Sequence, residues 1–435
     1  MITNEKKNVE FYDYDPSWEI QAESVINQLK IIFGENIADI QHIGGTAMKK
    51  IKSKPLIDIV AGIVDLNKID SFKNALKSNG FILDSKNLKN NPEIKLLFKF
   101  DNKTNKNKKT HIIYLVKHNS KLWFDYIIFK EYLNLNDNKA REYESLKLSI
   151  NGKYKSALPS YIKNKCDFIN KTVADNFHKM MLGKKVTVNL NCKVSGTYPK
   201  YNDGVYPLNY GNIENLKISA YVIGVYDYDI SENFTGKIIA YVNHKKNNIN
   251  EKSFIVAKEN MIFYKPDISE AIKFYFQNNN NENNKTFNEN DINIICMYEK
   301  SCGAVVYTKD NDMIKFLLLK GSASNSIGFP KGHIEKGETE AETAIREIYE
   351  ETSLNVVLHT DFKEEYEYTI NGYIHKKVVC FIAEFNISEE YKIKIRDSEI
   401  LEQWLIPYEK AYELLTFNQA KMILKKAYEN IKNKF

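Results

Sequence analysis
Apolar positions along this chain follow two rhythms, one helical and one alternating, separated by stretches rich in turn formers. Helical spacing runs from Glu19 to Phe33, and the mostly apolar, β-branched run Lys54 to Ile63 predicts a buried strand carrying one charge, Asp58. Short β-branched runs at Leu182–Val188, Ile218–Tyr226, Gly236–Asn243 and Ser253–Val256 predict a small barrel of antiparallel strands. Further on, Cys302–Thr308 and Lys315–Lys320 read as strands joined by a turn at 309–312. Asn355–Leu358, Glu365–Thr369 and Lys376–Phe385 are further strands, and Thr416–Ile431 is an amphipathic closing helix.

Between Glu338 and Leu354 lie about four helical turns on which Glu347, Glu350 and Glu351 are spaced by three and four, so their carboxylates share one face. Like charges at that spacing cost a helix roughly 0.2–0.5 kcal/mol per pair, a cost that a hard divalent cation among them would reverse. Gly332 and Gly337 flank the entry loop, where backbone can approach an ion or a phosphate closely, and Arg346 can pair with Glu338 or Glu350. In the first third, Asp58 asks for a partner in its apolar strand. Gly44, Gly45 and Thr46 just upstream form a loop able to cradle a phosphate, with Asp58 holding a metal beside it.

Three resemblances rest on these residues. Gly332, Glu338, Arg346, Glu347, Ile348, Glu350, Glu351 and Leu354 resemble the Nudix box, with Ser353 standing where that pattern has glycine. Gly328 to Glu338, Asn371-Gly with Lys377 to Ala383, Ser398 to Leu405 and Leu414 to Phe417 are similar to the asymmetric diadenosine tetraphosphate hydrolases within that family. Residues His42–Ala47, Lys54–Ile59, Thr110–Val116, Phe129–Leu133 and Arg141–Lys147 resemble the GrpB family, which has a nucleotidyltransferase-like fold. Val60 occupies the place where nucleotidyltransferases carry a second acid. Tyr206–Gly211 and Ala220–Val225 are similar to soluble inorganic pyrophosphatases, but the stretch after the Asn-Tyr-Gly turn holds one acid, Glu214, so no hydrolysis is expected there.

These likenesses imply a multidomain chain, α/β and β. A nucleotidyltransferase-like α/β domain at 1–178 is followed by a small antiparallel β-barrel at 180–278, an Asn-rich linker at 279–294 and a Nudix α/β/α sandwich at 295–435. They also imply a magnesium-dependent (or manganese-dependent) hydrolase of a nucleoside polyphosphate. Glu347, Glu350, Glu351 and the Gly332 carbonyl would hold metal, Glu351 or Glu399 would act as general base, and Lys331 and Lys377 would meet phosphate oxygens. Tyr366, Tyr368 or Tyr373 can stack a base, whereas His333 reads as a hydrogen-bonder of the loop. The alternatives are a nucleotidyltransferase acting through Asp58 with the Nudix domain removing by-products, and hydrolysis of nucleoside diphosphate sugars or RNA 5′ ends.

Composition narrows the remainder. A chain of 435 residues can bury several cores, and a net charge of +6 over that length does not argue for nucleic-acid binding. The partner expected is a small nucleotide. Five scattered cysteines suggest neither zinc nor disulfides, and no run approaches eighteen apolar residues, so a cytoplasmic protein without a membrane span is expected. Nothing in the composition speaks to oligomeric state.

Overall fold
The computed structural model describes residues 10–84, 92–101, 108–149, 158–194, 208–225, 232–246, 249–279, 292–311, 313–322, 325–388 and 400–433. Two compact units are formed, one by Met1–Lys200, Asn209–Val222 and Asp227–Ile238, the other by Tyr201–Leu208, Ile223–Tyr226 and Ile239–Phe435.

The first part of the chain runs α1 (Ser17–Phe33), β1 (Ile37–Ile43), β2 (Ile57–Ile63), α2 (Lys73–Ser78), β3 (Phe81–Leu83), β4 (Ile94–Phe100), β5 (Lys109–Lys117), α3 (Lys121–Leu135), α4 (Asp137–Leu148) and α5 (Leu158–Met180). Its five strands form one mixed sheet in the order β1-β2-β5-β4-β3, with β2 and β5 parallel. Trp18, Ala22, Val25 and Leu29 recur at helical spacing along α1 and pack on Ile57, Ile59, Ala61 and Ile63 of β2. Val60, on the other face of the same strand, is fully buried as well, which is why β2 is an almost unbroken apolar run.

The barrel comprises β6 (Lys185–Cys192), β7 (Asn209–Ile213), β8 (Ser219–Val222), β9 (Asn233–Lys246) and β10 (Ile249–Ala257), followed by α6 (Lys265–Asn279) and β11 (Ile292–Cys296). The sheet order β10-β8-β7-β6-β9, with β10 also pairing β9, closes five strands on themselves, and β11 is added beside β9. Two expectations are corrected here. Asn209-Tyr-Gly211, read as a turn, lies in β7. Gly211 is needed there because a Cβ would stand 1.9 Å from the Asn189 carbonyl oxygen of β6. Residues 292–294, assigned to the Asn-rich linker, are ladder residues of β11, where Ile294 and Cys296 are buried. Helix α6 had no counterpart in the periodicity reading. Tyr206 and most of the Asn-rich segment lie outside the described residues.

The last part contains β12 (Tyr298–Asp310), β13 (Met313–Gly321), β14 (Ile327–Gly328), β15 (Lys331–His333), α7 (Glu340–Thr352), β16 (Val357–Ile370), β17 (Ile374–Glu384), β18 (Ile400–Pro407), α8 (Tyr408–Leu414) and α9 (Asn418–Asn433). Its seven-stranded sheet follows β14-β13-β12-β17-β16, with β15 on β12 and β18 on β13, and β12 and β17 are parallel. Alternation splits the strands between two cores. Val305, Tyr307, Phe316, Leu318, Cys380 and Ile382 pack under α8 and α9, whereas Cys302, Ala304, Val306, Leu317, Val379 and Phe381 pack under Ala344 and Ile348 of α7. The result is the expected α/β/α sandwich.

Candidate active site
Helix α7 begins at a capping box. The Thr339 hydroxyl accepts from the Glu342 amide at 3.2 Å, and the Thr339 amide donates to the Glu342 carboxylate at 2.8 Å. The helix ends at Ser353, whose φ of +67° is left-handed, the conformation that explains glycine in the Nudix pattern. Burial of Ala344 and Ile348 against the sheet fixes the helix rotation, and that rotation turns Glu347 and Glu351 toward the short strand β15.

Glu351 is buried and accepts from the Lys331 amide at 3.1 Å. The Glu347 carboxylate lies against Gly332 so closely that a Cβ there would stand 2.0 Å from the carboxyl carbon. Arg346 ties the surroundings together: its Nε and Nη2 donate to Glu338 at 2.6 and 3.0 Å, Nη1 to Glu347 at 2.8 Å and Glu350 at 3.1 Å, and Nη2 also to the His333 carbonyl at 2.9 Å. That guanidinium, with the Thr343 hydroxyl helping, holds the Glu338 carboxyl down to about 2. Burial pushes Glu347 the other way, above the usual carboxylate range, although Arg346 opposes it. Glu350 is half exposed on the outer flank of the helix and touches only the edge of this cluster through Arg346.

Among the described residues no three His, Cys, Asp or Glu side chains gather as a cation site. The donor chemistry nonetheless fits a hard divalent ion: the carboxylates of Glu347 and Glu351, the first partly and the second largely removed from solvent, converge on β15.

Strand register decides which lysines share this edge. Opposite one another lie Glu299 and Lys376, Ser301 and His333, Gly303 and Lys331, and Tyr368 and Lys376, so Glu299, Lys331, His333, Tyr368 and Lys376 project from one face of the sheet. Lys376 stands 3.3 Å from the His333 ring and 3.5 Å from Glu299. Burial lowers its pKa, Glu299 opposes that, and Lys331 and Glu347 are near enough to act on it. Lys377, the lysine expected to meet phosphate, points from the opposite face and pairs with Glu365 at 2.6 Å. On one strand, adjacent residues cannot face the same ligand. Sequence reading named Lys377, whereas the register puts its neighbour Lys376, paired across strands with Tyr368, on the face of Lys331 and His333.

The same face carries an aromatic row. Tyr366 and Tyr368 stack with ring centroids 6.1 Å apart, and Tyr368 stacks on Phe417 at 6.4 Å. Phe417, named earlier only within a motif, extends the row of tyrosines, and Tyr373 stands in the turn between β16 and β17. Glu399 lies outside the described residues.

In the first part of the chain, Gly44, Gly45, Thr46 and Asp58 do come together. Gly44, at φ +74°, has the Asp58 carboxylate 2.4 Å from where its Cβ would be. The Tyr114 hydroxyl donates to Asp58 at 3.4 Å, and burial pushes this carboxyl up to about 6. Thr46 is fully buried, its hydroxyl lies 2.9 Å from the His42 ring, and it is thus engaged within the fold.

The GrpB protein family matches residues 8–175, and the NUDIX domain matches residues 297–426. The glutamate-rich protein GrpB of Alkalihalophilus pseudofirmus is 33% identical over 171 residues, 39% of this chain and 97% of that protein. The asymmetrical bis(5'-nucleosyl)-tetraphosphatase of Mus musculus is 31% identical over 144 residues, 30% of this chain and 93% of that protein. A solved binary complex of a C. elegans Ap4A hydrolase is 27% identical, covers 32% of this chain and 99% of that one, and superposes with a TM-score of 0.29.

Proposed function
Because this chain belongs to the GrpB family in its amino-terminal part and to the Nudix family in its carboxyl-terminal part, and so is a Nudix-type pyrophosphohydrolase, we propose that its substrate is a dinucleoside polyphosphate such as diadenosine tetraphosphate. One observation carries this reading. The Glu347 and Glu351 carboxylates meet the edge at β15 close to Lys331 and Lys376, and these lysines share a sheet face with the stacked row of Tyr366, Tyr368 and Phe417, a combination suited to a phosphate chain ending in a planar base.

A polyphosphate resists water because its oxygens are crowded with negative charge. Glu347 and Glu351, with the Gly332 carbonyl, would hold magnesium or manganese, which when bound neutralises phosphate oxygens and acidifies a water. Lys331 and Lys376 balance charge on non-bridging oxygens. Glu351, fixed by the Lys331 amide, takes the proton of the attacking water, with Glu399 as the other candidate for that task. Arg346 positions Glu347 and Glu338, and the aromatic row stacks an adenine.

Incubation of the full chain with diadenosine tetraphosphate and Mg²⁺ should release ATP and AMP, and Glu351→Gln should slow this by roughly a hundredfold or more. Turnover of nucleoside diphosphate sugars or capped RNA in preference to the dinucleotide, or an unimpaired Glu351→Gln, would reject the assignment.

A further inference from the structure
The loop between β15 and α7 is fastened at both ends by one residue of β12, Lys300. Its carbonyl accepts from the Ile334 amide at 3.2 Å where the loop starts, and its ammonium pairs with Glu340 at 2.5 Å where α7 starts. Toward the carboxylate cluster, the loop is tied through Glu338, which accepts from Arg346 at 2.6 Å and from the Glu335 amide at 3.0 Å. Glu340 is shared: Lys363 reaches it at 2.8 Å and Glu365 at 3.1 Å, and Lys377 ends the row on Glu365 at 2.6 Å. Lys377 thus stands at the far end of a chain of ion pairs, two carboxylates away from the loop.

The same loop meets a helix that lies outside residues 297–426, the part matched by the NUDIX domain. Ile268 and Ile272, four residues apart, are buried and anchor α6 by one side, so Glu270, two residues from each, projects from the other. Glu270 pairs with Lys336 of the loop at 2.5 Å. Tyr264, whose amide donates to Asp267 at 2.9 Å as α6 begins, places its ring 5.7 Å from the Lys300 ammonium. Helix α6, Tyr264, Lys300 and the loop all belong to one compact unit. Two independent contacts therefore join the start of α6 to the loop and to the residue that fastens it.

We propose that Tyr264 and Glu270 are positioning residues for the pyrophosphohydrolase reaction, bracing the loop between β15 and α7 from outside the NUDIX-matched part of the chain. The route of action is short. Lys336 stands two residues before Glu338, Glu338 is held by Arg346, and Arg346 donates to Glu347, whose carboxylate abuts Gly332. A loop that drifts by the order of an ångström loosens this chain of contacts, and misplacement of that size costs turnover. Exposed ion pairs add little to folding stability, so the brace acts on kcat far more than on the thermal transition. The inference rests on the pyrophosphohydrolase reading and not on which nucleotide is cleaved.

A charge reversal in the full chain tests the brace. Glu270→Lys sets two ammonium groups against each other and should lower kcat about three- to tenfold with KM changed less than about twofold, and adding Lys336→Glu should restore most of the loss. Tyr264→Ala should lower kcat about threefold, and Tyr264→Phe, which keeps the ring under Lys300, should recover it. Amide hydrogen exchange across residues 333–339, followed in EDTA without substrate, should quicken severalfold in Glu270→Lys and slow again in the double variant. A parent chain that turns over no nucleoside polyphosphate would reject the hydrolase reading. Exchange indifferent to Glu270→Lys would overturn the brace whether or not the parent is active, as would a kcat that ignores the reversal or a loss that Lys336→Glu fails to repair.

Discussion
Single side chains in the Nudix-type site are placed by contacts that leave little room for substitution, and Gly332 shows this most directly. A methyl group there would collide with the Glu347 carboxyl group, so Gly332→Ala should displace that carboxylate by the order of an ångström and lower kcat roughly ten- to a hundredfold. The melting temperature should change less than kcat, because the group that must yield is the end of one flexible side chain and not a member of either hydrophobic core. An unchanged kcat would show that the position of Glu347 is unimportant. The two neighbouring lysines give a second residue-scale test: Lys376→Ala should reduce kcat/KM about tenfold or more, while Lys377→Ala, on the other face, should cost less than threefold. Equal effects would contradict the register that separates them. Spacing alone revealed the acidic face and its arginine. It could not reveal which lysine faces them, since that depends on a pairing partner eight residues away across a turn.

At the scale of elements, α7 is a helix defined at both ends. Thr339→Ala removes the capping box and should destabilise the domain by about 1 kcal/mol in urea titration, with kcat nearly preserved because Glu347 and Glu351 lie in the last two turns. Ser353→Gly should act in the opposite sense, by roughly 0.5–1 kcal/mol. It relieves a left-handed residue and removes a buried hydroxyl that lacks a hydrogen-bond partner. A Ser353→Gly variant no more stable than the parent would mean that the cap is unstrained. The second position was read in the sequence, where serine stands at the place the family pattern has glycine; the Thr-x-x-Glu capping box at 339–342 was not read and came from the structure. By contrast β7 and α6 were not read, because Asn-Tyr-Gly carries turn chemistry that a barrel neighbour overrides, and because α6 ends in an Asn-rich run without clear periodicity.

For the molecule as a whole, a ligand that binds only the folded state raises the thermal transition of the part of the chain that holds it. Mg²⁺ at a hundredfold excess over its Kd should raise the transition of the carboxyl-terminal domain by roughly 10 °C, and Glu347→Gln should remove that rise. A variant that kept the full shift would place the ion elsewhere. Among the described residues no helix is long and apolar enough to cross a membrane, as the hydropathy of the sequence anticipated. The sequence by itself determined the strands of the carboxyl-terminal sheet, the acidic helix with its arginine, and the kinship of both ends of the chain, because periodicity and motif spacing are local properties. Only the tertiary structure decided that Lys376 rather than Lys377 shares a face with Lys331, that Asn209–Ile213 pairs as a strand, and that Asp58 is buried beside Tyr114. Pleat parity, register and the company of a buried charge are set by segments far away along the chain, and no local pattern encodes them.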